Sequence, residues 1–169
     1  GNAEDPSAGN IFKFDTTRPN SRVTYPVNNG FYSVLAILSG TAEDTDTGPG
    51  TTGIGSVKVL VRRSNGDYYQ GSGVWQPTVA ELDTTLFELV PGDKTGKWRR
   101  DTDLPNWEDG ETYTIQCKVY DKAANNEDPI DGGNTFKFDK TNPASVVRLP
   151  ENVYESQNIG YSSLATISG

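Results

Sequence analysis

Six carboxylates stand where the strand patterns of this chain give way to loops. Glu43, Asp44 and Asp46 crowd the acidic loop Glu43-Asp44-Thr45-Asp46, while Asp15, Asp121 and Asp139 sit where strands meet linkers. Ca²⁺ takes about six to eight oxygens, and loop carboxylates with backbone carbonyls supply them. These residues are therefore the candidate metal ligands, and an ion held between two parts of the chain would stiffen a linker. The plain alternative is a solvated acidic surface: there is no Asp-x-Asp-x-Asp-Gly loop, and acidic residues are common in turns. Other chemistries fare worse. With no histidine and one cysteine, a zinc site lacks ligands, the usual general base is missing, and no Ser-His or Cys-His pairing is available. A carboxylate pair suits glycoside hydrolysis, but none stands out from the scattered acids, so no catalytic residue is assigned. Cys117 falls in a valine- and tyrosine-rich strand pattern and reads as a small buried hydrophobe.

Tyr68, Tyr69 and Trp75, with Trp98 and Trp107, form the second candidate set, since flat rings stack on sugar faces. Against a glycan platform stands packing of the same rings in a sandwich core or along its edge. Lys13 and Lys137 are candidates for isopeptide crosslinks, although outward lysines also blunt strand edges. The net charge is −8 and the isoelectric point about 4.5, which repels a phosphate backbone and excludes nucleic acid as a partner. No segment approaches the ~18 apolar residues of a membrane span, and no signal peptide is present, so a mature or excised chain is expected.

These residues must be positioned by a repeated framework. Asn10-Ile-Phe-Lys-Phe-Asp15 returns as Asn134-Thr-Phe-Lys-Phe-Asp139, 124 residues later. The match runs on through Thr17 and Thr141, Pro19 and Pro143, Ser21 and Ser145, and Pro26 and Pro150. Upstream, Glu4-Asp5-Pro6 matches Glu127-Asp128-Pro129; downstream, Tyr32 to Gly40 matches Tyr161 to Gly169. Chance does not give so many matches in order. The chain is expected to hold one full period plus an overlap, with two copies of the linker from Asp15 to Pro19 and from Asp139 to Pro143.

The elements are short strands. Only 33% of residues are hydrophobic, and 18 glycines and 10 prolines punctuate the chain, which suits a thin sandwich with one wet face per sheet. Phe12 and Phe14, like Phe136 and Phe138, are two apart and share a strand face, with Lys13 or Lys137 outward. Further strands are expected at 22–25, 32–40, 54–63, 67–70, 86–89, 97–99 and 112–120. In 54–63, Val57, Val59 and Val61 face in while Lys58 and Arg62 face out; in 112–120, Tyr113, Ile115, Cys117 and Val119 face in. Asn65-Gly66 predicts a tight hairpin with both residues at positive φ. A single helical turn is expected at 81–85. Residues 122–133 read as loop.

Seven or so strands at this spacing argue for an all-β, immunoglobulin-like Greek-key β-sandwich. At four places the chain resembles the bacterial Ig-like repeats of large cell-surface and adhesin-type proteins: Phe-Lys-Phe-Asp-x-Thr-x-Pro at 12–19 and 136–143, Ser39 to Asp44, Ile54 to Val61, and Asp109-Gly110-x-x-Tyr113 through Tyr120-Asp121-Lys122-Ala123-Ala124-Asn125. Ala124 stands where that family's turn has glycine. The Asp-Gly-to-Tyr113 spacing is also that of a tyrosine corner, with Ile115 in place of the second cysteine, so no inter-sheet disulfide is implied. The resemblance implies that residues 1–19 are the last strand and linker of a preceding repeat, 20–142 a complete sandwich, and 143–169 the first two strands of the next, packed on the sandwich or paired in trans. It implies an extracellular structural spacer in a tandem-repeat stalk or filament, with an adhesive role open, partnered by neighbouring repeats or copies of itself. A carbohydrate-binding module and a filament subunit assembled by strand exchange are the alternatives. No cofactor beyond Ca²⁺ is suggested.

Overall fold

The computed structural model describes residues 10, 12, 14–44, 52–90, 93–128, 130 and 132–146. Among these the protein is all-β: β1 (Asn20–Tyr25), β2 (Gly30–Tyr32), β3 (Leu38–Glu43), β4 (Ile54–Arg63), β5 (Tyr68–Gly71), β6 (Val74–Gln76), β7 (Leu82–Asp83), β8 (Thr85–Phe87), β9 (Thr95–Arg100), β10 (Thr112–Asp121) and β11 (Asn134–Phe138). No helix of the described chain is long and apolar enough to cross a membrane. The strands form two sheets, one ordered β1-β3-β9-β8 and one ordered β2-β11-β10-β4-β5-β6, with β7 added beside β4.

The sandwich follows from period-two patterning. β4 and β10 pair antiparallel over nearly their whole lengths, from Tyr113 opposite Arg63 to Val119 opposite Val57. Alternate residues point to opposite faces, so Val57, Val59 and Val61 of β4 and Tyr113, Ile115, Cys117 and Val119 of β10 enter one core. The facing sheet contributes Val23, Leu38, Ala42 and Trp98, and β11 contributes Phe136 and Phe138. Gly40 makes room for this: a Cβ there would lie 2.0 Å from the Arg22 carbonyl oxygen and 2.5 Å from the Trp98 ring. At one end Trp107 packs edge-on against Tyr113 and Phe136 at centroid distances of 4.9 and 5.4 Å, and its Nε1–H donates to the Leu35 carbonyl. The Tyr113 hydroxyl accepts the Glu108 N–H at 2.9 Å.

Several expectations change. The strand read at 32–40 breaks in two: β2 lies in one sheet and β3 in the other, so the crossing residues cannot keep one phase, and Val34 is exposed while Leu35 is buried. The helical turn at 81–85 is β7 and the start of β8; buried Leu82 pairs with Val59 across β4. At Asn65-Gly66 only Gly66 takes positive φ (98°). Gly66 N–H donates to Arg63 O and Arg63 N–H to Asp67 O, a three-residue loop whose glycine forms the bulge. Among the described residues eleven strands stand where seven or so were expected, because β2, β6, β7 and β8 span two or three residues each, too few to show a period.

The largest departure is at the first copy of the repeated text. Phe12 and Phe14 lie outside any strand and are 82% and 78% exposed, whereas Phe136 and Phe138 are buried in β11. Their faces need the flanking strands that β11 finds in β2 and β10. Residues 147–169, and so most of the segment expected to pack on the sandwich or pair in trans, lie outside the described residues.

Candidate functional site at the linker pole

The N-terminal linker enters the sandwich at one pole, where four loop segments meet. Asp44 N–H donates to Lys94 O, Ile54 N–H to Asp93 O, and Lys122 N–H to Gly53 O. Together these bonds place the end of β3, the start of β4, the approach to β9 and the end of β10 side by side. Lys122 also pairs with Asp93 across the pole.

Three of the six candidate carboxylates converge there. Asp15, Asp44 and Asp121 are all buried, and each offers an oxygen within 4.8 Å of the other two. Each is also a local clasp. Asp15 Oδ1 accepts the Thr17 N–H at 2.9 Å, and its Oδ2 accepts the Thr52 N–H at 2.8 Å and the Thr52 hydroxyl at 2.9 Å. Asp44 Oδ2 accepts the Gly53 N–H at 2.8 Å. The Asp121 carboxylate accepts the Asn125 N–H and side-chain amide, and Asn125 Nδ2 also donates to the Asp15 carbonyl at 2.9 Å. The Thr17 N–H, acting against burial and helped by Thr52, holds the Asp15 carboxyl below its ordinary pKa.

The geometry suits a hard cation. Oxygens at 2.3–2.6 Å from Ca²⁺ stand up to about 5 Å apart across the ion, against about 4 Å for Mg²⁺. The three carboxylate oxygens, all within 4.8 Å of one another, are close enough to share one cation.

The other candidates separate. Glu43 is the neighbour of Asp44 on a strand end, so it faces the opposite way, exposed, with Oε1 accepting from Asn20 Nδ2 at 3.4 Å. Asp46 lies outside the described residues. Asp139 follows β11, which pairs with the start of β10. Asp121 closes the ten residues of that strand, so Asp139 is roughly 30 Å away at the opposite pole. There Asp139 repeats the Asp15 turn: its Oδ1 accepts the Thr141 N–H at 2.9 Å. Its neighbours are gripped by Asp109, whose carboxylate accepts the Lys140 N–H at 2.5 Å and the Thr141 hydroxyl at 3.1 Å.

Tyr68, Tyr69 and Trp75 do not make a platform. Tyr69 is buried, with its hydroxyl donating to Asp103 at 3.0 Å. Trp75 packs against Tyr69 and Tyr113 under the Arg63 guanidinium. Tyr68, the residue before Tyr69 on β5, faces the other way against Arg62. Lys137 points outward from β11, and Lys13 lies outside the described residues. Trp98 is core.

Sequence reasoning missed Glu127. It is buried and accepts the Ser21 hydroxyl at 2.5 Å and N–H at 3.2 Å, and the Val119 N–H at 3.3 Å, tying β1 to β10 across the two sheets. The signal was present: Glu4 and Ser145 repeat both partners. No family model matches the chain, and no curated protein matches its sequence.

Proposed function

We propose that this chain is a structural spacer from an extracellular tandem-repeat stalk or filament of a bacterial cell surface. In this reading residues 20–142 are an immunoglobulin-like module, and residues 1–19 and 143–169 belong to the repeats before and after it. Its partners are neighbouring repeats, and no enzymatic step is assigned. One observation carries the reading. The two copies of the linker text leave opposite poles of one sandwich, and Asp15-x-Thr17 and Asp139-x-Thr141 fold into the same side-chain-capped turn. A joint built twice in the same form is what an array of stacked modules requires. The sheet order and the Tyr113 to Glu108 bond, that of a tyrosine corner, support the immunoglobulin-like part. Electron micrographs of the parent polypeptide test it: the expected image is a beaded rod with an axial repeat of roughly 35–45 Å, from ten-residue strands at about 3.3 Å per residue plus a joint. A single compact particle rejects it.

The carboxylate cluster belongs to the same reading as a Ca²⁺-stiffened joint. A cation that binds only the folded state raises stability by RT ln(1 + [L]/Kd), about 2.7 kcal/mol at a hundredfold excess over Kd. Thermal unfolding in millimolar Ca²⁺ is expected to exceed that in EDTA, and Asp44→Asn to abolish the difference. Superimposable curves for the unaltered chain remove calcium from the account and leave the spacer.

A second reading, strand exchange between copies, has its own support: the exposed Phe12 and Phe14 carry the residue pattern that β11 buries. Light scattering decides, because exchange gives concentration-dependent dimers or fibres that Phe12→Ser suppresses, and a monomer at all concentrations rejects it.

A further inference from the structure

We infer that successive modules dock pole to pole with no free linker residue between them, the loop tip Ala123-Ala124 of one module seating in a hollow beside Asp139 of the module before it. The inference rests on the spacer reading and adds the surface through which its units touch.

Both halves of the joint are visible, one at each pole. At the N-terminal pole the linker aspartate is taken up by the module it enters. The Thr52 N–H and hydroxyl hold the Asp15 side chain, and Asn125 Nδ2 holds its carbonyl at 2.9 Å. At the C-terminal pole the equivalent aspartate still belongs to the module it leaves. Asp139 N–H donates to the Tyr32 carbonyl at 2.9 Å, extending the β11–β2 pairing. Asp109 grips Lys140 N and the Thr141 hydroxyl immediately beyond it. Asp15 and Asp139 are the same position of the repeated text, with the same turn, so one aspartate serves both modules. Beyond the shared aspartate, Lys140 and Thr141 are held by the module before, and Arg18, at the position of Asn142, reaches Asp128 of the module after.

That register decides what lies against the C-terminal pole. Asn125 touches the carbonyl of Asp15, so in the next module its counterpart touches the carbonyl of Asp139. The adjoining tip, Ala123-Ala124, comes with it. On this side, Phe138 and Lys140, which flank Asp139, line a hollow of about 300 Å³ together with Val34, Leu35, Pro105 and Trp107. Val34 is 74% exposed at its rim. The tip is exposed, small and apolar, with Ala124 held at φ 69°. The small, uncharged tip fits a shallow hollow whose lining is as polar as it is apolar, Ser33 and Asn106 standing among the apolar side chains, and the register of the repeated text makes the corresponding tip of a second module the occupant.

The test is a tandem in which residues 1–139 run directly into residues 16–169, so that Asp139 stands in for Asp15 and no module residue is lost. Buried Cys117 is changed to Ala and exposed Arg22 to Cys in both modules, and nitroxides at the two sites report the distance distribution by electron spin resonance. A single narrow peak is expected. Val34→Asp in the first module, or Ala124→Glu in the second, is expected to abolish that narrow peak without lowering the melting temperature. A broad distribution in the parent tandem, or a narrow one that survives both variants, overturns the docked joint. If the broad distribution is centred on a long, in-line distance, the spacer reading stands without docking. If the distance is short because the modules fold back side by side, the spacer reading falls too.

Discussion

The pattern Asn-x-Phe-Lys-Phe-Asp exists twice in this protein and leads two different lives. In β11, Phe136 and Phe138 are 1% and 2% exposed, and Asn134 Nδ2 reaches across to the Val23 and Pro26 carbonyls. In the first copy Phe12 and Phe14 are 82% and 78% exposed. The residues are the same, so alternation alone does not bury a ring; the flanking strands do, and only the second copy has them. What the copies share is the segment after the phenylalanines, the capped turn at Asp15 and Asp139. The local text fixes the turn, and the tertiary setting fixes the strand.

The sharpest way to break this contrast is to truncate one ring in each copy. Phe136→Ala is expected to cost ~3–5 kcal/mol in urea denaturation, the usual loss for a buried aromatic, while Phe12→Ala stays within about 0.5 kcal/mol, as for an exposed site. Equal losses would mean that the first copy packs in solution as the second does. A smaller effect separates the glycines of the module. Gly40→Ala drives a Cβ against the Arg22 carbonyl and the Trp98 ring, with an expected cost of ~1–3 kcal/mol from overpacking. Gly132 has nothing within 4 Å of its added Cβ, and Gly132→Ala is expected within about 0.5 kcal/mol of the parent.

The smallest effect is in acid. The Thr17 N–H depresses the Asp15 carboxyl at one pole, and the Lys140 N–H depresses the Asp109 carboxyl at the other, both from an ordinary 3.8. A carboxyl lowered in the folded state adds stability that is full above its unfolded pKa and is lost as pH falls through the folded value. Unfolding midpoints followed from about pH 5 down to about pH 2 should therefore fall, and less steeply in Asp15→Asn and Asp109→Asn than in the parent. Identical slopes would show that neither clasp is linked to folding.

The long strands were readable because each carries several periods of alternation: β4 and β10 appear within one residue of their expected spans, with the expected residues inside. β7 and β8 were not, since two or three residues hold no period, and Leu82 is recognisable as core only once Val59 lies beside it. The site was half readable. Asp44 was picked as part of an acidic loop and Asp15 and Asp121 for lying where strands meet linkers, and the pairing of β3, β4 and β10 brings them together. Glu43 lies one step of alternation away from the other three, and Asp139 the length of the sandwich away. Thr52, Asn125 and Glu127 act through hydrogen bonds to partners 37, 110 and 106 residues away, a distance over which local patterning carries no signal, and only the repeated text pointed to Glu127.

The parallel pairing of β11 with β2, Phe136 opposite Gly30 and Phe138 opposite Tyr32, bears on how the chain answers a pull. Force applied through Asp15 and Asp139 draws β2 toward one pole and β11 toward the other. The bonds between them lie across that line, so they are loaded in shear and must give way together rather than unzip one by one. The β1–β3 pair lies next to Asp15 along the chain, and the Ser21 to Glu127 bonds tie β1 to the other sheet as well. Resistance to extension is therefore expected to sit in the strand pairs next to Asp15 and Asp139.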